Sequence, residues 1–308
     1  MTVQHPDVVV SYIKTKNKIR KIVSYRSMDC ELRQSHERIN DFLSSRFVPS
    51  KFAKAYVKGR SIYYNALAHM YNDYFVMLDI KDFFPSICHQ QLIKKLYHEI
   101  NLRKRNQIDI NECRNLVDVC SVSTRGLPLG FINSPILANI YMKEFDNIFY
   151  GKIRNLGLQN PIYTRYADDI VVSFKGESDL DFNSLKNQIL ELATQLLKKY
   201  GLRMNAHKTR CYSLHTSNHV RITGVNISKG DDNRRHLTIG RTVKNQLFWD
   251  AIKCFESKDD KMINHVKGLQ SFVLSIEKTG YESCYSQAMI EKVQKLGFAS
   301  LKEMIDSL

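Results

Sequence analysis

Two adjacent aspartates, Asp168 and Asp169, lie at the centre of the segment YTRYADDIVVSF, residues 163–174. The residues on either side are mainly Tyr, Ile, Val and Phe, which are typical of strands. Because neighbouring side chains of a strand point to opposite faces, both carboxylates can converge on one point only if a tight turn lies at the pair. We therefore predict a β-hairpin with its tip at the two aspartates.

A third carboxylate, Asp79, lies inside YFVMLDIKDFFPSI, residues 74–87, whose apolar start predicts a buried strand. Neighbouring carboxylates repel each other unless a proton or a cation lies between them, and hard oxygen ligands suit Mg²⁺. One Asp on a strand with an Asp pair on a turn is a ligand set for two-metal phosphoryl transfer. The alternative is that Asp168 and Asp169 only form a turn, in which Asp is common.

Composition points to a globular protein with an anionic partner. The chain has 308 residues, 43% of them hydrophobic, which is enough for one large domain or for two to three subdomains. Lys and Arg number 46 against 31 acidic residues, a formal charge of +15, which favours RNA or DNA as a partner over a merely solvated surface. With no signal peptide and no apolar run long enough to span a bilayer, we expect a cytoplasmic protein without a membrane partner.

Other common chemistries lack their motifs. The seven cysteines are scattered without a CxxC pair, so neither a zinc site nor a disulfide framework is expected. The sequence contains no GxxxxGK, HExxH or GxSxG, which are the signatures of phosphate loops, zinc proteases and serine hydrolases. The carboxylates remain as the candidate chemical groups.

Strands and helices alternate around the carboxylates. The basic segment KIRKIVSY, residues 18–25, predicts a cationic strand or hairpin. A Gly- and Pro-rich loop leads into a helix that begins near Ser134. Residues 184–201 predict an amphipathic helix that stops at Gly201. Strands expected in 203–214 and 220–227 would return to one sheet with helices on one face, an α+β layer.

Helical patterns dominate the C-terminal part of the chain. From about Val243 onward, three apolar repeats at helical spacing follow one another. We predict a separate helical module in this part of the chain.

Together, the motifs of this sequence resemble those of a reverse transcriptase. Four segments carry the resemblance: LDIKDFFPSI (78–87), LPLGFINSPILANIY (127–141), YADD (166–169) and GLRMNAHKT (201–209). NALAH (65–69) is similar to the NAxxH element, and ITG (222–224) to the VTG element, of bacterial retron-type reverse transcriptases. The resemblance implies a right-hand polymerase fold of the α+β class that copies RNA into DNA with two Mg²⁺ ions.

The same resemblance implies a division into fingers, palm and thumb. Residues 1–73 would form the N-terminal part and fingers, 74–235 the palm with a fingers insertion around 88–126, and 236–308 the helical thumb. We expect no room in this chain for an RNase H, endonuclease or maturase domain.

Catalytic roles follow from the resemblance, residue by residue. Asp79 and Asp168 would be the principal metal ligands, and Asp169 would support them. Lys208 matches the lysine that protonates the leaving pyrophosphate.

Nucleotide-binding roles follow in the same way. Phe84 would be the steric gate that excludes a ribose 2′-hydroxyl, and Gly130 would let the backbone approach the nucleotide. Lys18 and Arg20 would grip the triphosphate, although a solvated face is the alternative for both. Leu129 stands where the family usually has a glutamine, and a leucine cannot hydrogen-bond the nucleotide sugar.

Contacts with nucleic acid are implied outside these motifs. Asn65 and His69, one helical turn apart, would recognise a noncoding RNA or organise the surface that binds it. Thr223 and Gly224 would contact the template–primer, and thumb lysines such as Lys267 would track duplex phosphates.

The implied function is synthesis of multicopy single-stranded DNA from a cognate noncoding RNA, in bacterial antiphage defence. The partners would be that RNA, the RNA/DNA hybrid, dNTPs and an effector or accessory protein. Two alternatives remain open: a non-retron defence reverse transcriptase that makes repetitive or untemplated DNA with a partner protein, and an RNA-binding scaffold in which Leu129 reflects weak catalysis. Intact Asp79, Asp168, Asp169 and Lys208 favour an enzyme.

Overall fold

The chain separates into two compact units. A computed structural model describes residues 5–15, 18–230, 234–257 and 259–308. The first unit comprises Met1–Ser61 and Asn72–Ser213, and the second comprises Ile62–Tyr71 and Leu214–Leu308. The functional division into fingers, palm and thumb at residues 73 and 235 stays a prediction.

The strands of the described residues form three sheets. In chain order they are β1 (Val8–Thr15), β2 (Lys18–Tyr25), β3 (Tyr74–Asp79), β4 (Gln159–Tyr166), β5 (Asp169–Lys175), β6 (Arg210–Ser213), β7 (His219–Ile222), β8 (Val225–Lys229) and β9 (Arg235–Thr238). β1 and β2 form the predicted basic hairpin. The first unit also holds a four-stranded antiparallel sheet in the order β4-β5-β3-β6, and the second unit holds β7-β8-β9.

The helices follow in the same order. They are α1 (Glu31–Arg46), α2 (Ile62–His69), α3 (Phe83–Ser86), α4 (His89–Asn101), α5 (Ile110–Val119), α6 (Ser134–Arg154), α7 (Phe182–Lys199), α8 (Arg241–Ser257), α9 (Asp260–Ile276), α10 (Gln287–Lys295) and α11 (Leu301–Asp306). α6 begins at Ser134 as predicted, with Pro135 in its first turn, where a missing N–H costs no hydrogen bond. None of these helices is both long and apolar enough to span a bilayer.

The core of the first unit lies between the four-stranded sheet and its helices. Val76 and Ile170 of the two central strands pack in one hydrophobic cluster with Phe145 of α6 and Leu197 of α7. All four side chains are fully buried. Full burial of one such side chain stabilises the fold by about 1.5–3 kcal/mol, so this layer holds the strands that carry the acidic residues.

One expectation about the second unit was wrong, and one of its helices was not predicted. Residues 220–227 do not return to the four-stranded sheet, because Thr223 and Gly224 have positive φ angles of 45° and 93° and turn the chain back between β7 and β8. A fourth C-terminal helix, α11, follows the three predicted ones. It has only six residues, which is too short for a helical repeat to be recognised in sequence.

Candidate active site

The predicted hairpin is present, and its tip presents the two aspartates. Tyr166 pairs with Asp169, so Ala167 and Asp168 form the loop between β4 and β5. On the neighbouring strand, Asp79 lies directly opposite Asp169, and the Ile80 N–H donates to the Asp168 carbonyl over 3.0 Å. The backbone therefore brings the three predicted carboxylates to one end of the sheet.

The hairpin tip is strained and is held from beneath by a buried arginine. Ala167 has a φ of 57°, a left-handed conformation that costs a non-glycine residue about 1–2 kcal/mol. Arg165 Nη1 donates to the Ala167 carbonyl and to Asn139 Oδ1, each over 3.2 Å. Its Nε and Nη2 donate to the two oxygens of Asp146 over 2.8 and 2.9 Å, and Tyr163 donates to the same carboxylate. Arg165 and Asp146 are both fully buried, so this ion pair is shielded from water.

Asp79 is paired with a cation. Lys208 Nζ donates to Asp79 Oδ1 over 2.6 Å, and Asn205 Nδ2 donates to Oδ2 over 3.1 Å. Asp79 is buried, whereas the Lys208 side chain is 59% exposed. Lys208 thus reaches the carboxylates from the solvent side, where an anionic group entering the site would meet it.

Burial and mutual repulsion shift the acidity of the site. Burial, together with the negative charges of Asp168 and Asp79, raises the pKa of Asp169 to about 6. Burial likewise raises the pKa of Asp168, against which the positive charges of Lys208 and Arg20 act. The hydrogen bond to Asp79 raises the pKa of Lys208. Asp168 and Asp169 therefore hold a proton up to a higher pH than isolated aspartates do.

The donor set fits a hard divalent cation, although the carboxylates do not form a closed cage. Asp79, Asp168 and Asp169 offer oxygen ligands, the kind that Mg²⁺ prefers. Within the described ranges, no group of three His, Cys, Asp or Glu side chains is close enough to hold one metal ion. Each Asp79 oxygen accepts one hydrogen bond, from Lys208 or Asn205, and keeps a further lone pair for a cation.

The predicted steric gate lies beside a second ring. Phe83 and Phe84 begin the short helix α3, and both side chains are buried. The Phe84 ring lies edge-on to Tyr56, with 6.3 Å between centroids. Tyr56 is 54% exposed and has a φ of 59°, and burial and the charge of Asp168 raise its pKa. This exposed ring therefore contacts Phe84 and lies close enough to Asp168 to feel its charge.

Gly130 is needed for a contact within the protein. Its φ is 116°, and a Cβ there would lie 2.4 Å from the Val23 carbonyl oxygen of β2. The Val23 N–H donates to the Leu129 carbonyl over 2.8 Å. The close approach predicted for a nucleotide is thus made here by the β1–β2 hairpin, which carries Arg20. The side chain of Lys18 lies outside the described residues.

The predicted RNA-binding residues lie in the second unit. Asn65 and His69 of α2 are fully buried, and Asn65 Nδ2 donates to Thr223 Oγ1 over 3.1 Å. Thr223 and Gly224 form the tip between β7 and β8. A positive φ is unfavourable for a β-branched residue, so the bond from Asn65 stabilises this tip. Lys267 lies exposed on α9.

Comparison with known proteins supplies the family. A model of the family "Reverse transcriptase (RNA-dependent DNA polymerase)" matches residues 13–227. The chain belongs to the reverse transcriptase family. Reverse transcriptase domains generally use divalent metal ions, in accord with the oxygen ligands at the hairpin tip.

Three curated relatives of this reverse transcriptase are retron enzymes of Escherichia coli. Retron Ec73 reverse transcriptase is 32% identical over 203 residues, 63% of this chain and 60% of that protein. Retron Ec83 reverse transcriptase is 28% identical over 257 residues, 79% of this chain and 76% of that protein. Retron Ec86 reverse transcriptase is 29% identical over 259 residues, 83% of this chain and 71% of that protein. The resemblance to retron-type reverse transcriptases is confirmed.

Solved structures support the fold of this reverse transcriptase. Telomerase from Candida tropicalis matches with a TM-score of 0.51 and 11% identity, over 99% of this chain and 62% of that chain. The same telomerase in complex with a fragment of telomeric RNA matches with a TM-score of 0.52 and 12% identity, over 99% and 59% of the two chains. The predicted right-hand polymerase fold of the α+β class is confirmed.

Sequence analysis did not identify some residues of the site. Arg165 and Asp146 lie at core positions within apolar segments. A charged residue in such a segment is unusual, and this was the signal in the sequence that could have identified them. Asn205 lies inside the segment GLRMNAHKT, three residues before Lys208. Tyr56 lies in a loop whose conformation depends on contacts distant in sequence, so no local pattern marks it.

Proposed function

We propose that this protein is a retron-type RNA-directed DNA polymerase that copies a cognate noncoding RNA into multicopy single-stranded DNA. The observation that carries the proposal is the meeting of Asp79, Asp168 and Asp169 at one end of the sheet, with Lys208 bonded to Asp79. The family match and the retron relatives support the choice of reaction. Because these relatives are retron enzymes, we also propose a role in antiphage defence together with an effector or accessory protein.

The carboxylates would act through two Mg²⁺ ions. When bound, these ions lower the pKa of an attacking hydroxyl and stabilise the leaving pyrophosphate. Asp79 and Asp168 would hold them, and Asp169 would lend further negative charge. Lys208, whose pKa is raised by its bond to Asp79, would keep its proton until the anionic pyrophosphate forms beside it and then donate it.

Selection of the nucleotide would depend on the rings beside the carboxylates. Phe84 would exclude a ribose 2′-hydroxyl by its bulk. Leu129 offers no side-chain hydrogen bond, so the sugar would be positioned mainly by shape. Arg20, whose charge already favours the ionised form of Asp168, would attract the triphosphate together with Lys18.

RNA recognition would draw on the second unit. Because Asn65 and His69 are buried, we favour a role in organising the RNA-binding surface over direct contact with RNA. Through Thr223, Asn65 would set the position of the β7–β8 tip, and Gly224 completes that tip. Lys267 on α9 would contact phosphates of the RNA/DNA hybrid.

The decisive test of the retron proposal is the product made on co-purified RNA. The protein would be purified from its native locus, supplied with dNTPs and Mg²⁺, and the labelled product sequenced, with Asp168→Asn as the matched control. We expect one discrete DNA joined to one RNA, absent from the variant. A repetitive or untemplated product would instead indicate a non-retron defence enzyme. Equal biological activity of wild type and Asp168→Asn would indicate an RNA-binding scaffold.

A further inference from the structure

A basic loop in the first unit is held in one conformation by hydrogen bonds within the loop. It lies in the connection between α4 and α5 and has the sequence LRKRNQ, residues 102–107. Asn101, which is buried, bonds both ways with the backbone of Ile108: its Nδ2 donates to the carbonyl over 2.8 Å, and its Oδ1 accepts from the N–H over 3.0 Å. Between Asn101 and Ile108, the Lys104 N–H donates to the Asn101 carbonyl. The loop is thereby tied to itself at both ends.

The loop packs against the last turn of α1, and together they place three cations around one cavity. The cavity has a volume of about 330 Å³, and Ser45, Arg46, Lys104, Arg105 and Asn106 line it. Arg46 donates to the Asn106 carbonyl over 2.6 Å and stacks on Phe42, with its guanidinium carbon 4.6 Å from the ring centroid. Lys104 Nζ lies 3.4 Å from the Ser45 carbonyl. Two of the cations are therefore held in place before any ligand arrives.

Among the described residues, no carboxylate pairs with these cations. Asp109 and Glu112, the acids that follow the loop, are engaged in capping α5: Asp109 Oδ1 accepts from the N–H groups of residues 111 and 112, and Glu112 Oε2 accepts from the Asp109 N–H. Within the described ranges, neither Arg46, Lys104 nor Arg105 forms an ion pair. Three like charges gathered without a counter-charge favour an anionic ligand.

We propose that this loop and the end of α1 form a phosphate-binding site for the backbone of RNA, separate from the active site. The lining is polar throughout, whereas the buried centre of a protein–protein interface is apolar, so a phosphodiester fits better than a partner protein. The Arg46 fork suits phosphate oxygens. None of the active-site residues lines the cavity. The inference rests on the proposed function only in taking RNA as the ligand.

The test compares two variants with the same loss of charge. Lys104→Ala with Arg105→Ala removes two cations of the site, and Lys198→Ala with Lys199→Ala removes two exposed cations at the end of α7. Binding of a fluorescein-labelled RNA stem-loop would be followed by anisotropy over a series of KCl concentrations. Each phosphate contact contributes about 0.7–0.9 to the slope of log K against log salt. We expect the slope to fall by about 1–2 in the loop variant and to stay within error of wild type in the α7 variant.

Three further measurements make the outcome decisive. Equal slopes in the two variants would overturn the proposal, because only general charge would then matter. Calorimetric titration with inorganic phosphate checks for a free-anion site, and loss of phosphate binding with an unchanged RNA slope would also overturn it. DNA synthesis on a short RNA template with an annealed primer should be the same in wild type and the loop variant. Its absence in wild type would count against the proposed polymerase and would leave the RNA slope intact as a test.

Discussion

Replacing Asp146 with Ala should destabilise the first unit strongly, since Arg165 would keep its charge without a partner. Both side chains are fully buried, and the pair has two hydrogen bonds of 2.8 and 2.9 Å. Breaking a buried ion pair from one side costs about 3–5 kcal/mol. In a unit of this size each 1 kcal/mol shifts the melting temperature by about 2–4 °C, so we expect a fall of about 6–20 °C.

Thermal and urea unfolding, followed by circular dichroism, would measure the change. The matched control is the double variant Asp146→Leu with Arg165→Met, which removes both charges and should recover most of the stability. It should not recover full polymerase activity, because the Ala167 carbonyl at the hairpin tip still lacks its donor. If Asp146→Ala lowered the free energy of unfolding by less than about 1 kcal/mol, far below the cost expected for breaking a buried ion pair, the assigned role of the network would be refuted. Full activity of the double variant would refute the positioning of the tip.

Three other predictions follow from the site. Gly130→Ala should lower DNA synthesis and the melting temperature, because the new Cβ would meet the Val23 carbonyl at 2.4 Å; both are measured on one preparation. Divalent-ion affinity, measured by calorimetry, should fall as pH drops through about 6, because a proton then competes for Asp169. With a chelator present the sign reverses: the raised pKa means that the folded state binds the proton more tightly, so the Asp169 contribution to stability is lost as pH rises through 6. Phe84→Ala should raise incorporation of rNTPs relative to dNTPs, measured with single-nucleotide extension, whereas Tyr56→Phe, which keeps the ring, should not.

Each of these has a plain contrary result. If Gly130→Ala kept the melting temperature and the DNA synthesis of wild type, the position of β2 would not depend on the close approach of Gly130 to Val23. The values pH 5 and pH 7.5 lie on either side of the Asp169 pKa of about 6. Equal divalent-ion affinity at these two pH values would show that a proton on Asp169 does not compete with the ion. Unchanged sugar discrimination in Phe84→Ala would remove the steric gate.

Local patterns were sufficient for the elements that carry the carboxylates. Strand-forming residues on either side of Asp168 and Asp169 predicted the β4–β5 hairpin, and apolar spacing predicted α6 and α7. These patterns work because burial of each element in the core requires apolar residues within its own short segment of sequence.

Features that depend on distant partners were not visible in the same way. The turn at Thr223 has a φ of 45° and is supported by Asn65, a residue 158 positions earlier. Gly130 is matched to Val23 of another strand. Arg165 could be recognised as a network residue only after Asp146 of α6 was placed beside it. In each case the partner is chosen by the tertiary fold, so no local sequence rule identifies it.

The most direct test of the central claim is template-directed DNA synthesis by the purified protein. An RNA template with an annealed DNA primer, dNTPs and Mg²⁺ would be compared for wild type, Asp168→Asn and Asp79→Asn, with the product sequenced. We predict DNA complementary to the RNA from wild type and none from either variant, with unchanged melting temperatures showing that both variants are folded. Absence of product from folded wild type, or equal product from the variants, would contradict an active site made of these carboxylates.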